Sequence, residues 1–467
     1  MALPNLPFKG RTPQVVAIIP SYIASCQINV VKPLTALDSA HRIKFKHVLE
    51  QNATSSHIAW ADLVVFCRNT EPGYRHLLSE AIGKRKPVIY DIDDSFWDIS
   101  ASTDPDLARY HLQPLRLKQL EVYLSYASLV RVYSPLLCSR VSRFNDSCRI
   151  YRSSFDFSKL PETTSRRSPD EKVSIVYATS RIVDDQYKVF LPALAEFMSA
   201  HHDKVDVTIW GCSPPELLTL PGVTSKKLVD RYDDFLKEFA RSGFEIGLAP
   251  LEDHEFNRSK NNTKFRDYGA CRIAGIYSEV DAYASSVTNE QDGLLVPNTK
   301  QAWHAALERL AFEPELRKTI QNNAREKVFQ DYRQELIEKQ WIDDIEELLS
   351  EAPSFLASNA KNAAMLKLPI LAENDGWSGI ELQNVSPNRG VLLKDKIYLE
   401  VQSTYGSTIR EGALPVTTYD TTGGSISFDF EPIRHSKGKT FELRIAGLTV
   451  NSERELPYTL RYLPSEN

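Results

Sequence analysis

The stretch Ala249-Pro-Leu-Glu-Asp-His-Glu-Phe-Asn-Arg-Ser-Lys-Asn-Asn-Thr-Lys-Phe-Arg-Asp-Tyr-Gly-Ala270 decides how the chain is read. An apolar run at 244–248 leads into Ala249-Pro250, the mark of a buried strand that ends there. A polar loop follows, and the pattern turns helical near Asn262 or Thr263. In an open α/β sheet, ligands bind where strands end and helices begin. The first N–H groups of a helix lack partners inside it, and they attract anions. Lys260 and Lys264 lie four apart, so on a helix or its first turn they share a face. Asp267 stands a turn beyond Lys264. Two cations and a carboxylate at a helix N-terminus suit a diphosphate joined to a ribose. The lysines would neutralise the phosphates, and the carboxylate would accept from ribose hydroxyls. The bland alternative for the same residues is a solvated charged face.

Outward from this stretch, apolar runs at 173–178, 205–210, 244–248 and 273–278 alternate with helical patterns at 186–200, 232–241, 263–271, 300–311 and 314–329. A long amphipathic segment at 334–351 closes the series, and it is expected to pack back toward the first domain of the chain. Upstream, strand-like runs at 15–20, 63–68, 88–93, 129–134 and 149–153 form a second such series. Continuous Val/Ile-rich runs between helices indicate parallel sheets covered on both faces. Between the two series, residues 161–172 are polar, proline-bounded and aperiodic, which reads as a linker. After about residue 366 the pattern shortens to alternating runs between turns, including Gly423-Gly424, which indicates a β-sandwich. The expected class is therefore α/β, with two Rossmann-like domains at 1–165 and 166–350 and an all-β sandwich at 366–467.

The composition is that of a soluble globular protein, with 42% hydrophobic and 25% charged residues. A net charge of −5 provides no basic field for nucleic acid. No apolar run is long enough to span a bilayer, and Met1–Gln14 has no apolar core of a secretory signal. A cytoplasmic location is expected, with at most peripheral contact at the inner face of the cell membrane. The six cysteines, Cys26, Cys67, Cys138, Cys148, Cys212 and Cys271, show no C-x-x-C pair and read as buried free thiols. The ten histidines form no ligand-spaced cluster. G-x-G-x-x-G, the P-loop, G-x-S-x-G and H-E-x-x-H are all missing, so neither a nicotinamide or flavin site nor a P-loop is expected.

With these residues in view, the chain over about 14–350 resembles the retaining glycosyltransferases of the two-Rossmann (GT-B) type. More narrowly, it resembles those that assemble bacterial O-antigens, capsules and S-layer glycans. The family's Lys–x3–Lys-Phe-x-Glu-Tyr block is similar to Lys260 and Lys264-Phe265-Arg266-Asp267-Tyr268. Asn289-Glu-Gln-Asp-Gly-Leu-Leu-Val-Pro297 is similar to its Asp-Gly-Leu-Leu-Val segment. Ser259 and Asp267 stand where many relatives have two glutamates, so the lysines are the stronger donor ligands. Tyr177-Ala-Thr-Ser-Arg-Ile-Val-Asp-Asp185 resembles the family's loop after the first strand of the second domain, with Arg181 the candidate for the donor diphosphate and Lys188 a weaker one. Thr208-Ile-Trp-Gly211 matches a strand ending in a glycine that lets the backbone approach a ligand.

In the first domain, Pro87-Val-Ile-Tyr-Asp-Ile-Asp-Asp94 resembles a family strand end that faces the interdomain cleft. Asp93 and Asp94 are the candidate catalytic acids, and capping of the next element is the bland alternative. On a strand, Asp91 and Asp93 would share one face and Asp94 would take the other. Asp91-Ile-Asp93 is also formally a D-x-D motif, which leaves open a metal-dependent transferase of the other fold type. Arg68, at the end of another matching strand, is the candidate acceptor-side residue.

The resemblance implies transfer of a hexosyl or deoxyhexosyl unit from a nucleoside-diphosphate sugar to a glycan or lipid-linked glycan. It implies retention, no metal and no cofactor, and leaves other glycan-assembly enzymes as open partners. A nucleotide-sugar epimerase and a non-catalytic glycan-binding protein are the rival readings. Trp377 and Tyr405 of the β-domain are read either as core or as exposed platforms for sugar rings.

Overall fold

The computed structural model describes residues 11–84, 86–101, 104–161, 171–182, 184–351, 365–383, 385–387, 396–403, 408–415, 425–450 and 458–462. Most of the expected linker, Gly423-Gly424 and Tyr405 lie outside these residues.

The first sheet contains β1 (Gln14–Ile19), β2 (Lys44–Leu49), β3 (Leu63–Cys67), β4 (Val88–Asp91), β5 (Leu129–Val132) and β6 (Cys148–Ile150). All pairs are parallel, in the order β2-β1-β3-β4-β5-β6. The second sheet contains β7 (Val173–Thr179), β8 (Val205–Gly211), β9 (Val223–Lys226), β10 (Ile246–Ala249), β11 (Ala274–Ser278) and β12 (Leu294–Val296). It too is parallel, in the order β12-β11-β10-β7-β8-β9. This is the doubly wound Rossmann order, with its reversal point beside β7, the strand from which the chain leaves in both directions. The expected class of two Rossmann-like domains followed by a β-sandwich is the one observed.

The alternation along β1 shows how each sheet is covered. Val15, Ala17 and Ile19 enter one core, while Val16 and Ile18 enter the other. The first of these cores is completed from far along the chain. Helix Gln334–Glu351 sends Ile337, Trp341 and Ile345 onto the first sheet, and Trp341 Nε1 donates to the Asn29 carbonyl at 3.0 Å. The two passages between domains run side by side: Phe155 N–H donates to the Tyr332 carbonyl (2.7 Å) and Gln334 N–H to that of Phe155 (3.1 Å). Strands β2 and β9 were not legible as strands. Both are edge strands with mixed exposure, so neither needs a continuous apolar run.

The C-terminal region is antiparallel. Its strands are β13 (Met365–Leu371), β14 (Trp377–Leu382), β15 (Val385–Pro387), β16 (Lys396–Ser403), β17 (Thr408–Pro415), β18 (Ile426–Ile433), β19 (Thr440–Ala446), β20 (Leu448–Val450) and β21 (Tyr458–Tyr462). Sheets β13-β19-β16-β17 and β18-β14-β21 enclose one core that includes Ile380, Phe428, Leu443 and Trp377. Trp377 is fully buried and its indole N–H donates to the Gly379 carbonyl, so it is no sugar platform. The domain rests on helices Arg75–Gly83 and Pro114–Tyr126 of the first domain, where the Tyr126 hydroxyl donates to the Asp429 carbonyl.

Candidate functional site

At the reversal point of the second sheet lies a cavity of about 190 Å³. Its walls are the ends of β7 and β10, the loop Thr179-Ser180-Arg181, and the start of helix Thr263–Ala270 with Lys260, Asn261, Thr263 and Lys264. The Asn262 side chain does not cap this helix. Its Nδ2 donates instead to Ser286 Oγ and Tyr332 Oη, both at 2.6 Å. The leading N–H groups are thereby left for whatever occupies the cavity.

Lys264 donates its ammonium to the Ala178 carbonyl on the cavity wall. Burial pulls its pKa down, and Asp267 partly opposes this. Lys260 sits in the loop before the helix, its Nζ 4.6 Å from the Phe256 ring centre. The two lysines converge on the cavity, but from a loop and a helix rather than from one helical face. Arg181 also lines the cavity and pairs across the cleft with Asp104 of the first domain. Lys188 is exposed and is not among the lining residues.

Across the domain boundary from Lys260 and Arg181 stand the ends of β3 and β4. Arg68 has φ 60°, a left-handed conformation that is uncommon for a side chain of its size. Its N–H donates to the Asp91 carbonyl at 2.9 Å. Its Nη1 donates to both Asp93 and Asp94, to the latter at 2.9 Å. The strand stops at Asp91, so the alternation expected of Asp91, Asp93 and Asp94 does not hold. Asp93 and Asp94 converge on one guanidinium, and Asp91 points into the core. There Asp91 accepts from the Tyr133 hydroxyl at 2.6 Å, and burial lifts its pKa to about 7 against the pull of Arg131.

Asp93 and Asp94 differ in their acidity. Burial raises the Asp93 carboxyl, and Arg68 offsets this only in part. Burial also acts upward on Asp94, but Arg68, Lys260 and Arg181 together hold it below the ordinary range. Two of those three cations belong to the second domain, so Asp94 faces the cavity electrostatically. The domains meet directly beside it. Phe256 is buried in the first domain's core with Phe96, and the Ser134 hydroxyl donates to the Ser259 carbonyl at 2.7 Å.

Two of the expected donor ligands stand elsewhere. Asp267 is buried outside the cavity lining, and its Oδ1 accepts from Arg266 (2.8 and 2.9 Å) and the Tyr232 hydroxyl (2.7 Å). It holds Arg266, which ties the second domain to the Ser154 carbonyl at 3.2 Å. A ribose would have to displace this network. Gly211 has φ 103° and lies outside the lining as well. A Cβ there would come within 2.1 Å of the Thr179 carbonyl oxygen, so the glycine serves the close approach of β8 to β7.

His111 escaped the sequence reading. It stacks on Phe96 with ring centres 4.0 Å apart, and the Arg68 guanidinium lies 4.8 Å from the same phenyl ring. Its buried Nδ1 has no partner, and burial, then Arg68, lowers its pKa to about 4. A lone histidine in a helical pattern carries no signal, whereas Asp104-Pro105 just upstream is a readable helix start. Among the described residues, no three His, Cys, Asp or Glu side chains converge as metal ligands.

No family model matches the chain, and no curated protein matches it in sequence. Solved structures are similar to it in fold. Anabaena HepE in complex with UDP-glucose is 14% identical, with 72% of this chain and 100% of that chain covered and a TM-score of 0.53. Sucrose-phosphate synthase from Thermosynechococcus elongatus is 15% identical, with 72% and 99% covered and a TM-score of 0.54. At such identities the likeness shows the fold: the two Rossmann-like domains have the GT-B arrangement.

Proposed function

We propose that this chain is a glycosyltransferase that moves a sugar from a nucleoside-diphosphate donor to a glycan or lipid-linked glycan. The observation that carries the proposal is the convergence of Lys260, Lys264, Arg181 and an uncapped helix N-terminus on one cavity, with Asp94 and Arg68 facing them from the other domain. A diphosphate leaving group gains negative charge as the glycosidic bond breaks. Cations and backbone N–H groups fixed in a cleft stabilise that charge in place of water.

The residues suggest a division of labour. Lys264 and the helix N–H groups take the diphosphate, and Lys260 and Arg181 close over it. Asp94, held ionised, is able to accept from an acceptor hydroxyl and orient it. Asp93 holds Arg68 in place. In a retaining, front-face reaction the departing diphosphate itself takes the acceptor proton, so no strong base is required. No metal is needed where lysines neutralise the phosphates, and a role in surface polysaccharide assembly fits the sequence resemblance. No helix among the described residues is long and apolar enough to cross a membrane, so contact with a lipid-linked acceptor would be peripheral at the inner face.

UDP is the first nucleotide to test, because HepE was solved with UDP-glucose. Calorimetric titration with a panel of nucleoside diphosphates, starting from UDP, should show binding that weakens about 10- to 100-fold in Lys264→Ala. Absence of binding by every nucleoside diphosphate would overturn the reading. Isomerisation of a bound nucleotide sugar without acceptor would make the chain an epimerase. Affinity for glycans with none for nucleotides would make it a binding protein.

A further inference from the structure

We propose that Cys138 and Cys148 are a site of reversible oxidation, forming a disulfide that staples helix Pro135–Val141 to β6. Their Sγ atoms lie 2.8 Å apart, and closure to a bond at about 2.05 Å asks for less than an ångström of movement. Both side chains are half-buried, so a small oxidant reaches them. Cys26 and Cys67 form the molecule's other close thiol pair, with Sγ atoms 3.5 Å apart. They are fully buried, which shields them and makes them an internal control.

The two thiols are unequal. The contact with the Cys148 thiol pulls the Cys138 pKa down to about 7 against the effect of burial. The same contact, together with burial, pushes Cys148 up. A thiol with a pKa near ambient pH is the better attacking group.

The oxidant would be a low-molecular-weight disulfide such as oxidised glutathione. The Cys138 thiolate attacks one of its sulfurs and expels a glutathione thiolate, leaving a mixed disulfide. The expelled thiolate takes the Cys148 proton. Cys148 then attacks Cys138 Sγ and expels the second glutathione, which is protonated by solvent. Two protein thiols are oxidised and one small disulfide is reduced.

The position gives the staple a consequence. Ser134 caps the helix that carries Cys138, accepting from Leu137 N–H at 3.3 Å. The same hydroxyl donates to the Ser259 carbonyl, beside Lys260. On the other side, Arg149 of β6 pairs with Asp344 and Glu347 of helix Gln334–Glu351. The disulfide would join the helix that touches the phosphate-side loop to the strand that anchors the returning helix.

The test does not depend on the proposed transferase activity. The 467-residue protein is equilibrated with oxidised or reduced glutathione, denatured, alkylated with N-ethylmaleimide and mapped by peptide mass. One Cys138–Cys148 disulfide is expected in the oxidised sample, with Cys26, Cys67, Cys212 and Cys271 alkylated. The unfolding midpoint should rise by about 5 °C or more on oxidation. Cys138→Ser and Cys148→Ser should abolish that rise. Full alkylation of both cysteines under oxidised glutathione, a persistent mixed disulfide at Cys138, or a Cys26–Cys67 bond formed first would overturn the proposal.

Discussion

Asp94 is the residue at which the two halves of the site can be told apart experimentally. Its carboxylate lies among Arg68, Lys260 and Arg181, and it repels any phosphate that the last two would bind. Asp94→Asn should therefore leave UDP affinity unchanged or tighten it a few-fold, while transfer falls about 10-fold or more. Calorimetry and product formation measure the two effects separately, and equal loss of both would place Asp94 in the donor site. Asp91 supports a different prediction. Its folded pKa, about 7, lies above the ordinary carboxylate value, so the folded state binds the extra proton between the two. That stabilising contribution is complete below the ordinary value and is lost as pH rises through about 7. Relative to Asp91→Asn, the wild type should lose up to about 1.4 kcal/mol of unfolding free energy per pH unit within that window. Urea denaturation from pH 4.5 to 8 tests this, and parallel curves would count against it. Neither Asp91 nor Asp93 is disposed as a D-x-D cage, since Asp91 is bound to Tyr133 and Asp93 to Arg68. Activity should therefore survive EDTA, and loss on chelation with recovery in Mn²⁺ would reverse that expectation.

Helix Gln334–Glu351 is one of the elements that hold the halves together. Arg131, fully buried in the first domain, is stacked between Tyr151 and Trp341, and it pairs with Asp344 of this helix. Removing this carboxylate would leave a buried guanidinium with only the more distant Asp91 carboxylate, 3.9 Å away, as counter-charge. Asp344→Ala should cost about 3–5 kcal/mol, measured by urea unfolding. A loss below about 1 kcal/mol would mean that Tyr151 and Trp341 suffice to hold the cation. At this scale the sequence read well where an element had to be buried. The parallel strands β1, β3, β4, β7 and β10 are runs with at most two residues, at their ends, outside the fully buried class, and so were recognisable. Edge strands β2 and β9 were not, because tertiary pairing rather than local pattern makes them strands.

At the scale of the molecule, the β-sandwich sits on helices Arg75–Gly83 and Pro114–Tyr126, and none of the residues that line the cavity belongs to it. Its core is its own. A chain ending at Glu351 should keep UDP affinity within about twofold if it folds, because the cavity proposed for the donor and its supports lie upstream. Circular dichroism checks the fold and calorimetry the affinity, and a folded truncation that no longer binds would make the sandwich part of the site. Transfer to long acceptors is expected to fall more than transfer to short ones, since the sandwich rests on the first domain, the proposed acceptor side.

What the sequence determined by itself was the class of the fold and the address of the site. Buried parallel strands must be apolar throughout, and a strand–loop–helix junction rich in lysine at a sheet's reversal point is visible as a local pattern. Lys260 and Lys264 were singled out in this way, and Arg181 and the Asp93-Asp94 pair by the family resemblance. What only the tertiary structure decided was which side chains are free to act. Asp267 carries the right charge at the right spacing, but Arg266 and Tyr232 already occupy it. Gly211 answers to a neighbouring strand and Trp377 to a core. His111 enters only because Phe96 and Arg68 come to lie beside it. Charge and periodicity are local properties of a chain, whereas burial and the prior claims of neighbours exist only once distant segments meet.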